Sequence, residues 1–139
     1  MSINVQWLKE GNQFEAENKV GGKIRIDGDG VLQGIEGGIA PLELLLAGIG
    51  ACSAVDVVMI LKKQRQEIES LEVRVEPEKI KNEIGYSEYK TIHMHYTLNG
   101  NIDSNKAQKA LELSINKYCS VSKALEKSSE ISFSFEINP

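Results

Sequence analysis

The segment from Ile39 to Leu61 (IAPLELLLAGIGACSAVDVVMIL) constrains this chain more than any other. It is apolar on nearly every side and long enough to span a bilayer. Two acids, Glu43 and Asp56, stand inside it, and an Asp near the centre of a membrane helix costs about 2.5–3.5 kcal/mol. No second apolar run of comparable length pairs with it. The segment therefore reads as a buried helix of a soluble protein, covered on more than one side. Pro41 suits its first turn, and Lys62, Lys63 and Arg65 suit the negative end of its dipole. The helix is expected from Pro41 to about Gln66. Ala47, Gly48, Gly50, Ala51 and Ala54 recur at helical spacing, and such small residues let another helix approach closely. A chain of 139 residues offers limited cover for such a helix, which argues for a dimer.

Strands surround it. Ile3, Val5 and Trp7 alternate with polar residues at the period of a half-buried strand. Gly11-Asn12 and Gly21-Gly22 mark turns on either side of a strand from Gln13 to Asn18, and Lys23 to Asp27 follows. The glycine-rich run from Gly28 to Gly38 reads as a loop. After the helix, Leu71, Val73 and Val75 alternate as a strand ending near Pro77, and Asn82 to Gly85 turns the chain. Tyr89 to Leu98 presents Ile92, Met94, Tyr96 and Leu98 to a core, and Asn99-Gly100-Asn101 closes it. Asp103 or Ser104 can cap a helix with the stripe Ala107, Ala110, Leu111, Ile115 and Tyr118. A short helix from Ser120 uses Val121, Ala124 and Leu125. The last strand alternates Ile131, Phe133, Phe135 and Ile137 with polar residues. The order predicts a single α+β domain over residues 1–139, with mostly antiparallel sheet.

Composition narrows the function. The net charge of −4 has no basic block behind it, so nucleic acid is not an expected partner. Aromatic residues at 6% are too sparse for a base-stacking platform. Neither a dinucleotide-binding GxGxxG nor a P-loop occurs, and no GxSxG elbow is present. His93 and His95 fall on one face of a strand, compatible with two metal ligands, but no third is indicated, so no metal is expected. The N-terminal residues lack a basic region followed by an apolar one, so a cytoplasmic location is expected, where thiols stay reduced.

Two cysteines remain. Cys52 lies in the apolar helix, where a small core filler is the plain alternative to a reactive thiol. Burial and the neighbouring Asp56 carboxylate both oppose a negative charge there, so reaction needs a cation nearby. Cys119 sits at a junction of helices, where unpaired backbone N–H groups favour the thiolate. The two are 67 positions apart, and spacing alone does not bring them together.

Two segments resemble the OsmC/Ohr family of cysteine-dependent peroxidases. GGIAPLELLLAGIGACSAVDVV is similar to its Pro-initiated helix with a carboxylate at the start and a cysteine after small residues, and YCSVSKAL to its second cysteine motif. The CS dipeptide resembles the OsmC-like branch rather than the Ohr branch. The resemblance implies an intertwined homodimer in which antiparallel sheets wrap long central helices. It also implies a peroxidase of organic hydroperoxides, with Cys52 peroxidatic and Cys119 resolving, and with no cofactor beyond an external thiol or dithiol reductant, often lipoylated. By the same resemblance Arg25 is the candidate activating cation and Glu43 the acid that orients it. In the peroxidase branches that acid follows the proline directly; here Leu42 does, and Glu43 comes one residue later. That shift motivates a second reading, a small-ligand-binding or redox-sensing protein on the same fold.

Overall fold

A computed structural model describes residues 1–28 and 38–139. The expected loop at 28–38 falls outside the described residues for positions 29–37. Contacts divide the chain into two compact units, Met1–Leu45 and Leu46–Pro139.

The first unit holds three antiparallel strands in the order β1 (Ile3–Trp7), β2 (Gln13–Asn18) and β3 (Lys23–Asp27). Both turns fall where the glycines put them. Gly11 and Gly21 take positive φ, and Asn18 Oδ1 accepts the Val20 and Gly22 amides. One expectation fails: Ile3, Val5 and Trp7 form their strand but remain exposed rather than half-buried. Alternation dictates which face a residue takes, while burial needs something to cover that face. Beyond β3 the backbone pairs with Ile39, whose N–H donates to Arg25 O and whose carbonyl accepts from Asp27 N.

Helix α1 (Pro41–Lys63) ends two residues after Leu61 and before the expected Gln66. Arg65 adopts φ 60°, its N–H donates to Lys62 O, and Gln66 N–H donates to Leu61 O. This paired bonding is the Schellman termination, here built without glycine.

The second unit holds a sheet in the order β4 (Glu67–Lys81), β5 (Ser87–Asn101) and β6 (Glu130–Asn138). β4 does not stop at Pro77. It lies at the sheet edge, where a proline is tolerated, and continues to a turn in which Asn82 Oδ1 accepts the Ile84 and Gly85 amides. β5 and β6 pair in parallel, an exception to the antiparallel expectation. A parallel neighbour requires a crossover, and the helices between the two strands supply it. Gly100 was expected to close β5 but lies within it. Its φ is 138°, and a Cβ there would overlap the Glu67 carbonyl.

Ile92, Met94, Tyr96 and Leu98 of β5 are fully buried, together with Ile49, Val57 and Leu61 of α1. Ala107, Ala110 and Leu111 of α2 (Ser104–Leu113) complete this core. Each large aliphatic buried here contributes about 1.5–3 kcal/mol. Asp103 caps α2 by accepting the Lys106 amide at 3.0 Å. Among the described residues, Gly50 and Gly48 face no other long helix. Gly50 lies against Val75 and Val73 of β4, and Gly48 beside Val121. A second face of α1, the four-spaced residues Ala47, Ala51, Val55 and Met59, remains exposed.

After α2 the helix widens into a π-helical turn, Ser114–Tyr118, and α3 (Ser120–Leu125) follows. The widened turn displaces the expected stripe: Ile115 stays buried, but Tyr118 is exposed. In α3 the buried side chain is Ser122, while Ala124 faces solvent. Tyr89, near the start of β5, is buried.

Candidate redox site

The fold brings Cys52 and Cys119 together. The Cys52 sulfur lies close enough to Cys119 to raise its thiol pKa directly, and both cysteines are free. Cys52, in the middle of α1, is partly accessible, whereas Cys119 is fully buried. Any reagent from solvent therefore reaches Cys52 first.

Serines hold the pair in place. Ser114 opens the π-helical turn, and its hydroxyl lies 3.0 Å from the Ser53 carbonyl oxygen and 3.1 Å from Asp56 Oδ2. Its own carbonyl accepts the Cys119 N–H at 2.7 Å. On the other side, Ser53 Oγ is 2.6 Å from the Tyr96 hydroxyl and 3.1 Å from Gly50 O. Tyr96 in turn donates to Met94 Sδ. This ties α1 to β5 at the residue after Cys52. Polar groups buried in this way rigidify a site because each loses much if its partner moves. The sequence marks Ser122 only as a serine of the YCSVSKAL motif, and gives Ser53 and Ser114 no role. Their signal is serine at positions where helical periodicity demands apolar residues.

Cys119 caps α3, and its sulfur accepts the Ser122 amide at 3.4 Å. The expectation that this position favours the thiolate is reversed. Burial pushes the Cys119 thiol up from 9.0 to about 11, and the neighbouring Cys52 adds to the rise; the Ser122 and Val121 amides oppose it without offsetting it. Tyr96 is likewise pushed up to about 12, chiefly by burial, against the lowering effect of Ser53.

Arg25 and Glu43 lie in the first unit. Arg25 is central in β3 opposite Glu15, and its buried Nε has no partner among the described residues. Glu43 Oε1 accepts the Ala40 N–H at 2.9 Å, which satisfies a free donor at the start of α1.

Other groups are accounted for. His93 Nδ1 and Nε2 meet Ser132 and Ser134, and His95 Nδ1 and Nε2 meet Ser134 and Glu136, at 2.7–3.1 Å. No cluster of three metal-ligating side chains occurs among the described residues. A cavity of about 510 Å³, lined by Asp56, Met59, Ile60, Lys63, Leu113 and Tyr118, opens one helical turn beyond Cys52.

An α+β chain with two free thiols meeting between a long apolar helix and a helical junction defines a dithiol protein. The chain belongs to the OsmC-like protein family, whose model matches residues 34–134. It is 34% identical over 138 residues to Protein YhfA of Escherichia coli K12, covering 99% of this chain and 98% of that protein. A hypothetical protein from Aquifex aeolicus VF5 has a crystal structure that superposes with a TM-score of 0.80 at 28% identity, covering 99% and 97% of the two chains. The organic hydroperoxide resistance protein OhrB of Bacillus subtilis shares the fold, with a TM-score of 0.67 at 20% identity and coverage of 97% and 96%.

Proposed function

We propose that this chain is a thiol peroxidase that reduces organic hydroperoxides. The observation that carries the reading is the proximity of a partly accessible Cys52 to a buried Cys119, both free. The fold shared with a protein named for organic hydroperoxide resistance supports the choice of substrate.

In this reading the Cys52 thiolate attacks the terminal peroxide oxygen. The O–O bond breaks, the alkoxide takes a proton and leaves as an alcohol, and Cys52 becomes a sulfenic acid. The Cys119 sulfur then displaces hydroxide from that sulfenic acid; the proton it loses joins the hydroxide as water, and a disulfide forms. Two electrons from an external thiol or lipoyl-type dithiol restore the pair. Arg25 is the proposed cation for the Cys52 thiolate. Glu43 is its proposed orienting acid, in addition to the helix cap it forms. The chain acts as a homodimer in the cytoplasm and needs no cofactor beyond the reductant.

Reduced protein mixed with one equivalent of cumene hydroperoxide should lose both thiols, and Cys52→Ser should lose none. Retention of both free thiols in the unaltered protein would sink the reading.

A second reading, a redox-sensing or small-ligand protein on the same fold, is favoured by one observation. Glu43 Oε1 is engaged with the Ala40 amide, and Leu42 stands where the peroxidase branches have the acid. A ligand that co-purifies with unreactive Cys52 would select this alternative.

A further inference from the structure

Ser122 is fully buried, and its hydroxyl has no hydrogen-bond partner among the described residues. An orphaned buried hydroxyl destabilises a fold and calls for a reason. Ser122 is the third residue of α3. A side chain at that position reaches back toward the residue that caps the helix, and the cap here is Cys119. The amide that such a side chain ordinarily meets is already taken, because Cys119 N–H donates to Ser114 O at 2.7 Å. The Cys119 sulfur remains. It already receives the Ser122 backbone N–H at 3.4 Å, so a turn about one side-chain bond suffices to bring the hydroxyl of the same residue toward it. A neutral thiol is a weak acceptor, and in this reduced state the hydroxyl makes no bond to it. A thiolate is a strong one.

We propose that Ser122 Oγ is a donor held for the Cys119 sulfur, bonding to it only as negative charge develops there during disulfide formation. The inference rests on the peroxidase reading and names a further catalytic group for its resolving step. In that step the S–S bond forms, the S–O bond of the Cys52 sulfenic acid breaks, and the hydroxide that leaves takes up the proton lost by Cys119. A hydrogen bond absent from the ground state and present in the transition state lowers the barrier by its full strength. A buried orphan is the structural cost of that arrangement.

Two measurements test it. In single turnover with cumene hydroperoxide, Ser122→Ala should prolong the dimedone-trappable sulfenate about tenfold or more, the worth of one charge-assisted hydrogen bond. Its melting temperature should equal or exceed that of the unaltered protein, since an unsatisfied hydroxyl has been removed. Ser122→Thr, which keeps the hydroxyl, should resolve faster than Ser122→Ala. In a Cys52→Ser background, where no peroxide chemistry is involved, Ser122→Ala should move the iodoacetamide titration of Cys119 upward by about one pH unit. An unchanged Cys119 titration would overturn the proposal. If the titration moves while the unaltered protein forms no sulfenate, the peroxidase reading fails and Ser122 stands as the thiolate donor. A drop in melting temperature with unchanged titration would make Ser122 merely structural.

Discussion

The Ser114 hydroxyl lies 3.0 Å from the carbonyl oxygen of Ser53, the residue after Cys52, while the Ser114 carbonyl holds the Cys119 amide at 2.7 Å. One serine thus ties together the backbones of two cysteines far apart in sequence. Two neighbouring sulfurs held in place form a disulfide with a high effective concentration, and slack between them lowers it.

Ser114→Ala should therefore weaken the disulfide. Loss of the shared hydrogen bond is expected to reduce its equilibrium constant about tenfold, read as a rise of about 30 mV in reduction potential against glutathione. Asp56→Asn keeps an acceptor for Ser114 and should leave the potential within about 10 mV, a fraction of that tenfold step. Equal potentials for Ser114→Ala and the unaltered protein would show that the tie is not needed.

Alkaline pH should destabilise the protein. An unfolded Cys119 loses its proton near 9, whereas the folded thiol holds it to about 11. Between these values the unfolded state binds fewer protons, so stability is fully present below pH 9 and falls as pH rises toward 11. Tyr96, raised from 10 to about 12, extends the loss in the same direction. Each group contributes a slope of about 1 kcal/mol per pH unit across its window. Urea midpoints measured from pH 8 to 11 should decline, and Cys119→Ala should flatten the segment between 9 and 11. A decline equally steep in that variant would remove Cys119 as its source.

The exposed Ala47, Ala51, Val55 and Met59 face of α1 should be covered in solution by a second copy. Val55 and Met59 are 56% and 54% exposed, a large apolar area for a helix in water. Sedimentation should give twice the 15.4 kDa of the chain, and Val55→Glu should shift it toward the monomer. A monomeric unaltered protein at micromolar concentration would contradict the homodimer.

Much of the architecture was legible from local pattern. The strand at Gln13–Asn18, the buried face of β5, both early turns, the Pro41 helix start and the Asp103 cap depend on neighbours within a few residues, and those neighbours are written next to them. The length of β4 was not legible, because the tolerance of Pro77 depends on its strand being at an edge. Nor was the parallel β5–β6 pairing, which is decided by the path of the helices between them. Tyr118 was misplaced because nothing in SINKY announces a π-helical turn.

The sequence by itself determined that two cysteines stand in distinctive settings, one in an apolar helix and one before a short helix. Periodicity carries that information without reference to the rest of the chain. Only the tertiary structure decided that the thiols meet, that burial outweighs the helix amides at Cys119, and that Ser53, Ser114 and Ser122 are buried around them. Contact, dielectric environment and hydrogen-bond satisfaction are properties of what surrounds a group in space, and Ser53 meets Tyr96 and Ser114 only when the helices close over the sheet.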